Sequence, residues 1–271
     1  YRPGPGLTTE FWFCYEHNNE KGLLIMNLIK NDNHDDLFAR DIYPKPFQFN
    51  SEVAAVFDNM AERSIPLYNE VQKQLIEWAR AYYQPGTAIY DIGCSTGTSL
   101  LNVARTLKPG AHLIGIDNSL AMIEKARTKL APFTQHHHVQ FYDADINNID
   151  LLPSSVVIFN YTLQFIPVAK RLSLLQKIYR SLQPGGIIFL SDKLISCCPE
   201  FQETTTYIYE NFKFQNGYSR GEIERKKESL DQVLIPLSLA EETELLQNAG
   251  FGKIEPILKW HQFVTLVALK T

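Results

Sequence analysis

The chain has 271 residues, 45% apolar and 21% charged, enough to bury one sizeable core, which excludes a disordered protein. Its net charge of −4 gives no overall basic field, so direct nucleic acid binding is not expected. No apolar run approaches the roughly 18 residues of a membrane span, so a membrane partner is not expected either.

The N-terminal segment differs in character from the rest of the chain. It opens on a Pro- and Gly-rich run, whereas Met26 heads a stretch typical of a natural start. We expect residues 1–25 to be upstream or cloning-derived sequence, the alternative being a weakly ordered native arm. Residues 1–32 are thus expected to lie outside the folded domain, which should cover 33–271.

Short apolar strands and amphipathic helices alternate from about residue 86, a pattern that predicts an α/β fold with a mostly parallel sheet covered on both faces. The predicted strands are 87–91, 111–116, 139–142, 155–160 and 187–192, followed by a hairpin of 254–258 and 263–269. The predicted helices are 98–107, 119–130, 169–182 and 239–249. Helical additions are expected at 50–83, divided at Pro66, and at 200–235. The sheet should therefore have seven strands with an antiparallel hairpin at its edge.

A glycine-containing loop follows the first predicted strand and opens a helix. Gly93 and Gly97 let the backbone approach a ligand closely, and the helix N-terminus offers unpaired N–H groups. Twenty residues after Gly97, the second strand ends at Asp117, where a carboxylate can accept from both ribose hydroxyls of an adenine nucleoside. The alternative for the loop alone is a structural strand-to-helix turn.

Two further strand ends fit the same pocket, because ligands of open α/β sheets lie beyond the carboxyl ends of the strands. Asp145 follows the third strand, where its carboxylate and the N–H of Ile146 can contact an adenine edge. Asn160 ends the fourth strand. The alternatives are a helix N-cap or an exposed turn for Asp145 and a strand-end cap for Asn160.

The loop Gly93-Cys94-Ser95-Thr96-Gly97 lacks the glycines that a dinucleotide pyrophosphate requires, which favours a ligand without phosphate, such as S-adenosyl-L-methionine. The arrangement resembles the Rossmann-like class I S-adenosylmethionine-dependent methyltransferase fold. In that fold Asp91 and Gly93 belong to the first motif, and Asp117 is the ribose-binding acid.

A narrower resemblance covers roughly residues 33–270. It rests on Gly93-Cys94-Ser95, on the run from Asn160 to Phe165, on Asn216-Gly217-Tyr218-Ser219, and on the segments at 56–68, 116–124 and 266–270. These segments resemble the carboxy-S-adenosyl-L-methionine synthases. The resemblance implies a homodimeric enzyme that needs no metal and converts S-adenosyl-L-methionine and prephenate to carboxy-S-adenosyl-L-methionine, phenylpyruvate and water. A separate enzyme would then use the product to carboxymethylate wobble uridine in transfer RNA, so this protein need not bind RNA.

The resemblance also implies the site residues. The expected ligand contacts are Tyr68, Gly93, Cys94, Ser95, Asp117, Asn118, Asp145, Ile146, Asn160 and Lys227. Among them, Tyr68, Asn160 and Lys227 are the expected catalytic residues.

Lys227 is the main departure, because the family has an arginine there to hold the added carboxylate. A lysine keeps the charge but cannot bond a carboxylate in two places. A one-turn shift of the helix would instead present Arg225 or Lys226. The alternative for all the cations of this helix is a solvated face balanced by glutamates.

Other candidates have a simpler interpretation. Tyr161 or Tyr218 would line the acceptor side, and Arg63 would contact prephenate, with ordinary packing or an ion pair as alternatives. His136-His137-His138 predicts a surface segment rather than a metal site, since successive side chains point different ways. Cys94 has no neighbouring histidine to activate it and is expected to be a small buried residue.

Two other functions use the same cofactor residues. One is an ordinary S-adenosylmethionine-dependent methyltransferase acting on a small acceptor, which would not need a cation beside the sulfonium. The other is a catalytically silent protein that binds the nucleotide.

Overall fold

The described part of the chain folds around one seven-stranded sheet with helices on both faces. The computed structural model describes residues 34–39 and 46–271, so the expectations for residues 1–32 fall outside the described residues. The strands are β1 (Ala88–Ile92), β2 (His112–Asp117), β3 (His138–Asp143), β4 (Ser154–Asn160), β5 (Leu182–Lys193), β6 (Lys253–Trp260) and β7 (Phe263–Leu269).

The strand order in the sheet is β3-β2-β1-β4-β5-β7-β6, and the pairs from β3 to β5 are parallel. β7 is antiparallel to both β5 and β6. The predicted hairpin is therefore present, with β7 next to β5 and β6 at the outer edge. The direction of winding reverses between β1 and β4, and a crevice forms at such a point beyond the strand ends.

The helices begin and end at residues with clear chemical roles. They are α1 (Ser51–Ser64), α2 (Tyr68–Tyr82), α3 (Thr98–Ala104), α4 (Leu120–Leu130), α5 (Val168–Ser181), α6 (Pro199–Gln215), α7 (Arg220–Leu230) and α8 (Leu239–Ala249). Ser119 caps α4 as the sequence predicts, by accepting from the N–H of Met122. Ser219 and Ser238 each form a capping box with a glutamate three residues on. Gly250 ends α8 in the left-handed region with φ of 116°.

Most observed bounds lie within two residues of the predicted ones, and three differences are larger or change the number of elements. β5 begins at Leu182 rather than 187, but its continuous pairing with β4 and β7 begins at Ile187, and the left-handed φ of 79° at Gly185 marks the turn that the sequence predicts. α3 ends at Ala104 rather than 107. The helical region after 200 is divided into α6 and α7 by the turn at Asn216 and Gly217, where φ of Gly217 is 88°.

Alternate residues of the central strands bury apolar side chains on opposite faces of the sheet. On one face, Val157 and Phe159 pack with residues of α5 and α8. On the other, Val156 and Ile158 pack with residues of α2 and α3. Because both faces are covered, a polar ligand can reach the central strands only at their ends.

Among residues 34–39 and 46–271, no helix combines the length and the apolar character needed to cross a bilayer.

Candidate functional site

A cavity of about 790 Å³ lies beyond the carboxyl ends of β1, β2, β4 and β5. Helices α1, α2, α6 and α7 supply other parts of its wall. All ten predicted contact residues line it: Tyr68, Gly93, Cys94, Ser95, Asp117, Asn118, Asp145, Ile146, Asn160 and Lys227.

The glycine loop is held against β2 by backbone hydrogen bonds. The N–H groups of Gly93 and Cys94 both donate to the carbonyl of Ile116, at 2.8 and 3.0 Å. Gly93 has φ of 72°, and a Cβ there would overlap the Thr162 side chain, so glycine is required on both grounds. The loop backbone therefore closely borders the cavity.

Asp117 is fixed at the end of β2 by two backbone donors. The N–H of Ser95 donates to one carboxylate oxygen and the N–H of Ser119 to the other, each at 2.9 Å. Burial raises the pKa of Asp117, and these N–H groups oppose the shift. The carboxylate is thus oriented toward the cavity with lone pairs left for ribose hydroxyls.

Asp91 lies behind the loop on β1 and is buried. Burial and, second, the charge of Asp117 raise its pKa to about 8. One of its carboxylate oxygens has no hydrogen-bond partner among the described residues. A protonated Asp91 can donate a hydrogen bond from within the cavity wall.

Asn160 presents an unpaired amide to the cavity. Its side-chain oxygen and nitrogen are both buried, and neither has a partner within residues 34–39 and 46–271. An unsatisfied buried amide is costly, so a polar ligand that bonds both atoms would offset that cost. The strand-end cap considered for Asn160 does not form.

Asp145 does cap the short 3-10 helix Ile146–Asn148, as its alternative predicted. Its carboxylate accepts from the backbone N–H of Asn147 at 2.9 Å and from the Asn147 amide at 2.7 Å. Asp145 is exposed and also borders the cavity. Capping fixes its orientation and leaves its second oxygen for a ligand.

Four phenylalanines form an aromatic wall, which we define as Phe47, Phe49, Phe57 and Phe165. Phe49 is central, with ring centroids 5.0 Å from Phe47, 6.3 Å from Phe57 and 5.2 Å from Phe165. All four line the cavity. Their edge-on packing lowers the polarity on this side of the site.

Lys227 lies at the cavity rim and is engaged by two glutamates. Its ammonium is 3.2 Å from Glu210 and 3.7 Å from Glu224, and 53% of its side chain is exposed. The hydrogen bond to Glu210 is the main cause that raises its pKa. The solvated-face interpretation therefore holds in part, although Lys227 still borders the cavity.

Lys226 is buried in the cavity wall, one position away. Its ammonium donates to the Ser64 hydroxyl at 3.0 Å and lies 3.8 Å from the Asp35 carboxylate. Burial lowers its pKa to about 8. Arg225 instead donates to the carbonyl of Phe38 at 2.7 Å and does not line the cavity.

Arg63 and Tyr218 form a structural cluster away from the cavity lining. Arg63 donates to the carbonyls of Asn216 and Asp35, each at 2.9 Å, and its guanidinium lies 4.0 Å from the Tyr218 ring centroid. The Tyr218 hydroxyl donates to the Asp35 carboxylate. These contacts favour the packing alternative for both residues, whereas Tyr161 does line the cavity.

Sequence reasoning did not identify Lys193, Tyr209 and Lys213, which also line the cavity. Lys193 ends β5, so the rule that directed attention to Asp117 and Asn160 also applies to it. The other two lie on α6, and no sequence signal indicates which face of that helix meets the sheet.

His137 and Cys94 are buried. His136 and His138 are exposed, as predicted for this segment, whereas the Nε2 atom of His137 lies 3.0 Å from the Ala104 carbonyl. Cys94 is buried as expected, and burial raises the pKa of its thiol. The described part of the chain contains no group of three or more metal-ligating side chains.

Comparison with known proteins identifies the family of this chain. Residues 89–186 match the family model described as a methyltransferase domain. The chain is 53% identical to the carboxy-S-adenosyl-L-methionine synthase of Trichodesmium erythraeum over 88% of this chain and 94% of that one. It is 42% identical to the synthase of that name from Nautilia profundicola, over 87% of this chain and 99% of that one.

A solved structure supports the fold. A putative O-methyltransferase from Nostoc punctiforme superposes with a TM-score of 0.59 at 18% identity, covering 81% of this chain and 59% of its own length. The fold is therefore that of the class I S-adenosylmethionine-dependent methyltransferases. With the curated relatives matched over nearly their full lengths, the chain belongs to the carboxy-S-adenosyl-L-methionine synthase family.

Proposed function

We propose that the protein converts S-adenosyl-L-methionine and prephenate to carboxy-S-adenosyl-L-methionine, phenylpyruvate and water. The observation that carries the proposal is the cavity at the strand ends, where the unpaired amide of Asn160 lies with the oriented carboxylate of Asp117 and the glycine loop. Family membership supports the same reaction.

The chain's own groups have distinct parts in binding. The backbone from Gly93 to Ser95 borders the methionine portion of the ligand, and Asp117 accepts from the ribose hydroxyls. Asp145 and the N–H of Ile146 contact the adenine edge. Asn118 and Cys94 complete the lining.

Tyr68, Asn160 and Lys227 act nearest the reacting centre. The Asn160 amide bonds polar atoms of the ligand, and the Tyr68 phenol donates to a carboxylate. Lys227 attracts the carboxylate of the product, in the role that the family gives to an arginine. Burial raises the pKa of Tyr68, which keeps its phenol a donor at neutral pH.

The reaction balances without a metal or an external oxidant. The ring carboxylate of prephenate leaves as carbon dioxide while the ring hydroxyl leaves as hydroxide, which gives phenylpyruvate. The hydroxide takes a proton from the sulfonium methyl group to form water. The methyl carbon then forms its bond to carbon dioxide. The protein binds both molecules in contact and limits water around them.

The cellular setting belongs to the same proposal. The product would serve a separate enzyme that modifies wobble uridine of transfer RNA in the cytoplasm, and a net charge of −4 fits a protein that does not itself bind RNA. We propose a homodimer, in line with the exposed Phe201, Tyr207 and Phe214 on α6, since exposed large apolar side chains favour association.

One observation favours a second candidate function, an ordinary methyltransferase acting on a small acceptor. Lys227 is half-exposed and paired with Glu210 and Glu224 rather than directed alone into the cavity. A methyltransferase needs no cation beside the sulfonium.

Mass spectrometry of the nucleotides formed from S-adenosyl-L-methionine, with and without prephenate, separates the two. The expected result is a prephenate-dependent product heavier by one carboxyl group, with phenylpyruvate formed in equal amount. Unchanged S-adenosyl-L-methionine in both samples, from protein shown to bind it, would refute the synthase reaction and favour a search for methyl acceptors.

A further inference from the structure

Two lysines in the cavity have no acidic partner among the residues that the structure describes. Lys193 ends β5 and Lys213 lies in the last turn of α6, and both line the cavity. Lys213 is only 6% exposed. Within residues 34–39 and 46–271, neither ammonium has an ion pair or a hydrogen-bond acceptor. Buried lysines without a partner are costly, so this pair has a use that folding alone does not explain.

One aromatic ring contacts both ammonium groups. The Tyr209 ring centroid is 4.9 Å from Nζ of Lys193 and 4.5 Å from Nζ of Lys213. The π face of a tyrosine attracts cations but does not neutralise them. The ring therefore positions the two lysines and leaves their charge available to a ligand.

The neighbouring charges do not neutralise the pair. Lys227 is engaged with Glu210 and Lys226 with Asp35. Burial and, second, the charge of neighbouring lysines lower the pKa of Lys193 to about 8 and that of Lys213 to about 7, while Glu210 opposes the shift. An anion bound between them would raise both pKa values and restore the full charge.

Prephenate, the carboxyl donor of the proposed reaction, has two carboxylates with different fates. One leaves as carbon dioxide and loses its charge, so a tight cationic contact to it would stabilise the reactant and slow its loss. The other remains in phenylpyruvate and is charged throughout. A pair of cationic groups is therefore best used on the carboxylate that stays.

We propose that Lys193 and Lys213, whose ammonium groups both contact the Tyr209 ring, bind the carboxylate that prephenate keeps. This inference rests on the proposed function and specifies how its acid substrate is recognised. The departing carboxylate then lies elsewhere in the cavity, toward the sulfonium methyl group.

The test uses Lys193→Met and Lys213→Met, which remove the charge and keep most of the volume, with Lys253→Met at an exposed site of β6 as the control. Calorimetry measures binding of phenylpyruvate, which carries only the kept carboxylate, to protein saturated with S-adenosylhomocysteine. We expect each cavity variant to weaken phenylpyruvate binding at least about tenfold. The control variant should bind phenylpyruvate as the wild type does, and all variants should keep the wild-type affinity for S-adenosyl-L-methionine.

Two further readouts separate a binding role from a structural one. The wild-type affinity for phenylpyruvate should fall as the pH rises from about 7 to about 9. This pH dependence should be lost in the double variant that carries both Lys193→Met and Lys213→Met. Without ligand, Lys213→Met should unfold at the same or a higher temperature than the wild type, because it removes an unpaired buried charge.

The outcomes distinguish this inference from the proposed function. If phenylpyruvate binding depends on the lysines but prephenate yields no carboxylated product, the anion site stands and the synthase reaction fails. If product forms and folded variants retain wild-type phenylpyruvate affinity and KM for prephenate, the reaction stands and the inference is wrong. Absence of phenylpyruvate binding to the wild type also contradicts the inference.

Discussion

The ammonium of Lys129 lies 2.8 Å from the carboxylate of Asp58, and this ion pair links α4 to α1 beside the glycine loop. The same ammonium donates to the hydroxyls of Thr96 and Thr98 at 3.0 and 2.9 Å. Asp58 accepts from both hydroxyls at 2.6 and 3.0 Å. The loop that borders the ligand is therefore fixed by side chains from three helices.

Lys129→Met should lower the free energy of unfolding by about 1–2 kcal/mol, since Lys129 is mostly buried but Asp58 is partly exposed to solvent. The affinity for S-adenosyl-L-methionine should fall as well, because the loop loses a support. Chemical denaturation and calorimetry measure the two effects. Lys73→Met, which removes an exposed ion pair to Glu70, is the control and should change neither.

Asp117→Asn should weaken S-adenosyl-L-methionine binding by about tenfold to a hundredfold, because a neutral amide accepts less strongly from ribose hydroxyls. Asp143→Asn is a matched control, since Asp143 pairs in register with Asp117 on the neighbouring strand but is exposed and outside the cavity lining. Equal effects of the two substitutions on the calorimetric Kd would contradict the ribose role.

Stability should fall as the pH rises, owing to a buried carboxyl pair. Burial is the first cause that raises the pKa of both Asp192 and Glu242 above their ordinary values of 3.8 and 4.5. The folded state therefore keeps protons that the unfolded state releases, so the free energy of unfolding decreases as the pH rises above those values.

Glu242→Gln should flatten this decrease between about pH 5 and about pH 8, as measured by urea denaturation at each pH. Glu244→Gln, on the exposed side of the same helix, serves as the control. An unchanged slope in Glu242→Gln would show that the pair does not titrate in that range.

Gly93→Ala should destabilise the protein by about 2–5 kcal/mol, since it combines a left-handed backbone with a clash against Thr162. It should also reduce nucleotide affinity. Gly252→Ala meets nothing within 4 Å and should be nearly neutral. Thermal unfolding of both variants tests the difference.

Lys227→Arg should raise the affinity for carboxy-S-adenosyl-L-methionine relative to S-adenosyl-L-methionine by about tenfold, because a guanidinium can bond a carboxylate in two places. Lys227→Met should change the ratio in the opposite direction. The ratio of the two calorimetric Kd values is the measurement. If neither variant alters it, Lys227 does not contact the added carboxylate.

The sequence was sufficient to predict every strand of the sheet and the place of the cavity. Apolar runs of strand length, and helix ends marked by residues such as Ser119 and Gly250, determine these elements locally. For the helices and strands, errors were confined to bounds and to the division after residue 200. α3 ends at Ala104 rather than 107, and β5 begins at Leu182 although its pairing with β7 begins at the predicted Ile187.

The environment of each candidate cation could not be predicted in the same way. Lys226 and Lys227 are adjacent in sequence, yet one is buried against Asp35 and the other is half-exposed beside Glu210. The pairing of Lys227 with Glu210 depends on how α6 and α7 pack, which no local pattern encodes. For the same reason, sequence reasoning missed Lys213 and Tyr209.

The aromatic wall has a consequence for the small gas molecule that the proposed reaction releases. Carbon dioxide is uncharged and apolar, so it gains little by leaving a surface such as Phe49 and Phe165 for water. A cavity wall of rings would retain the gas for the moment between its release and its capture. The four phenylalanines of the aromatic wall would thus keep carbon dioxide in the cavity, whereas bulk solvent would dilute it.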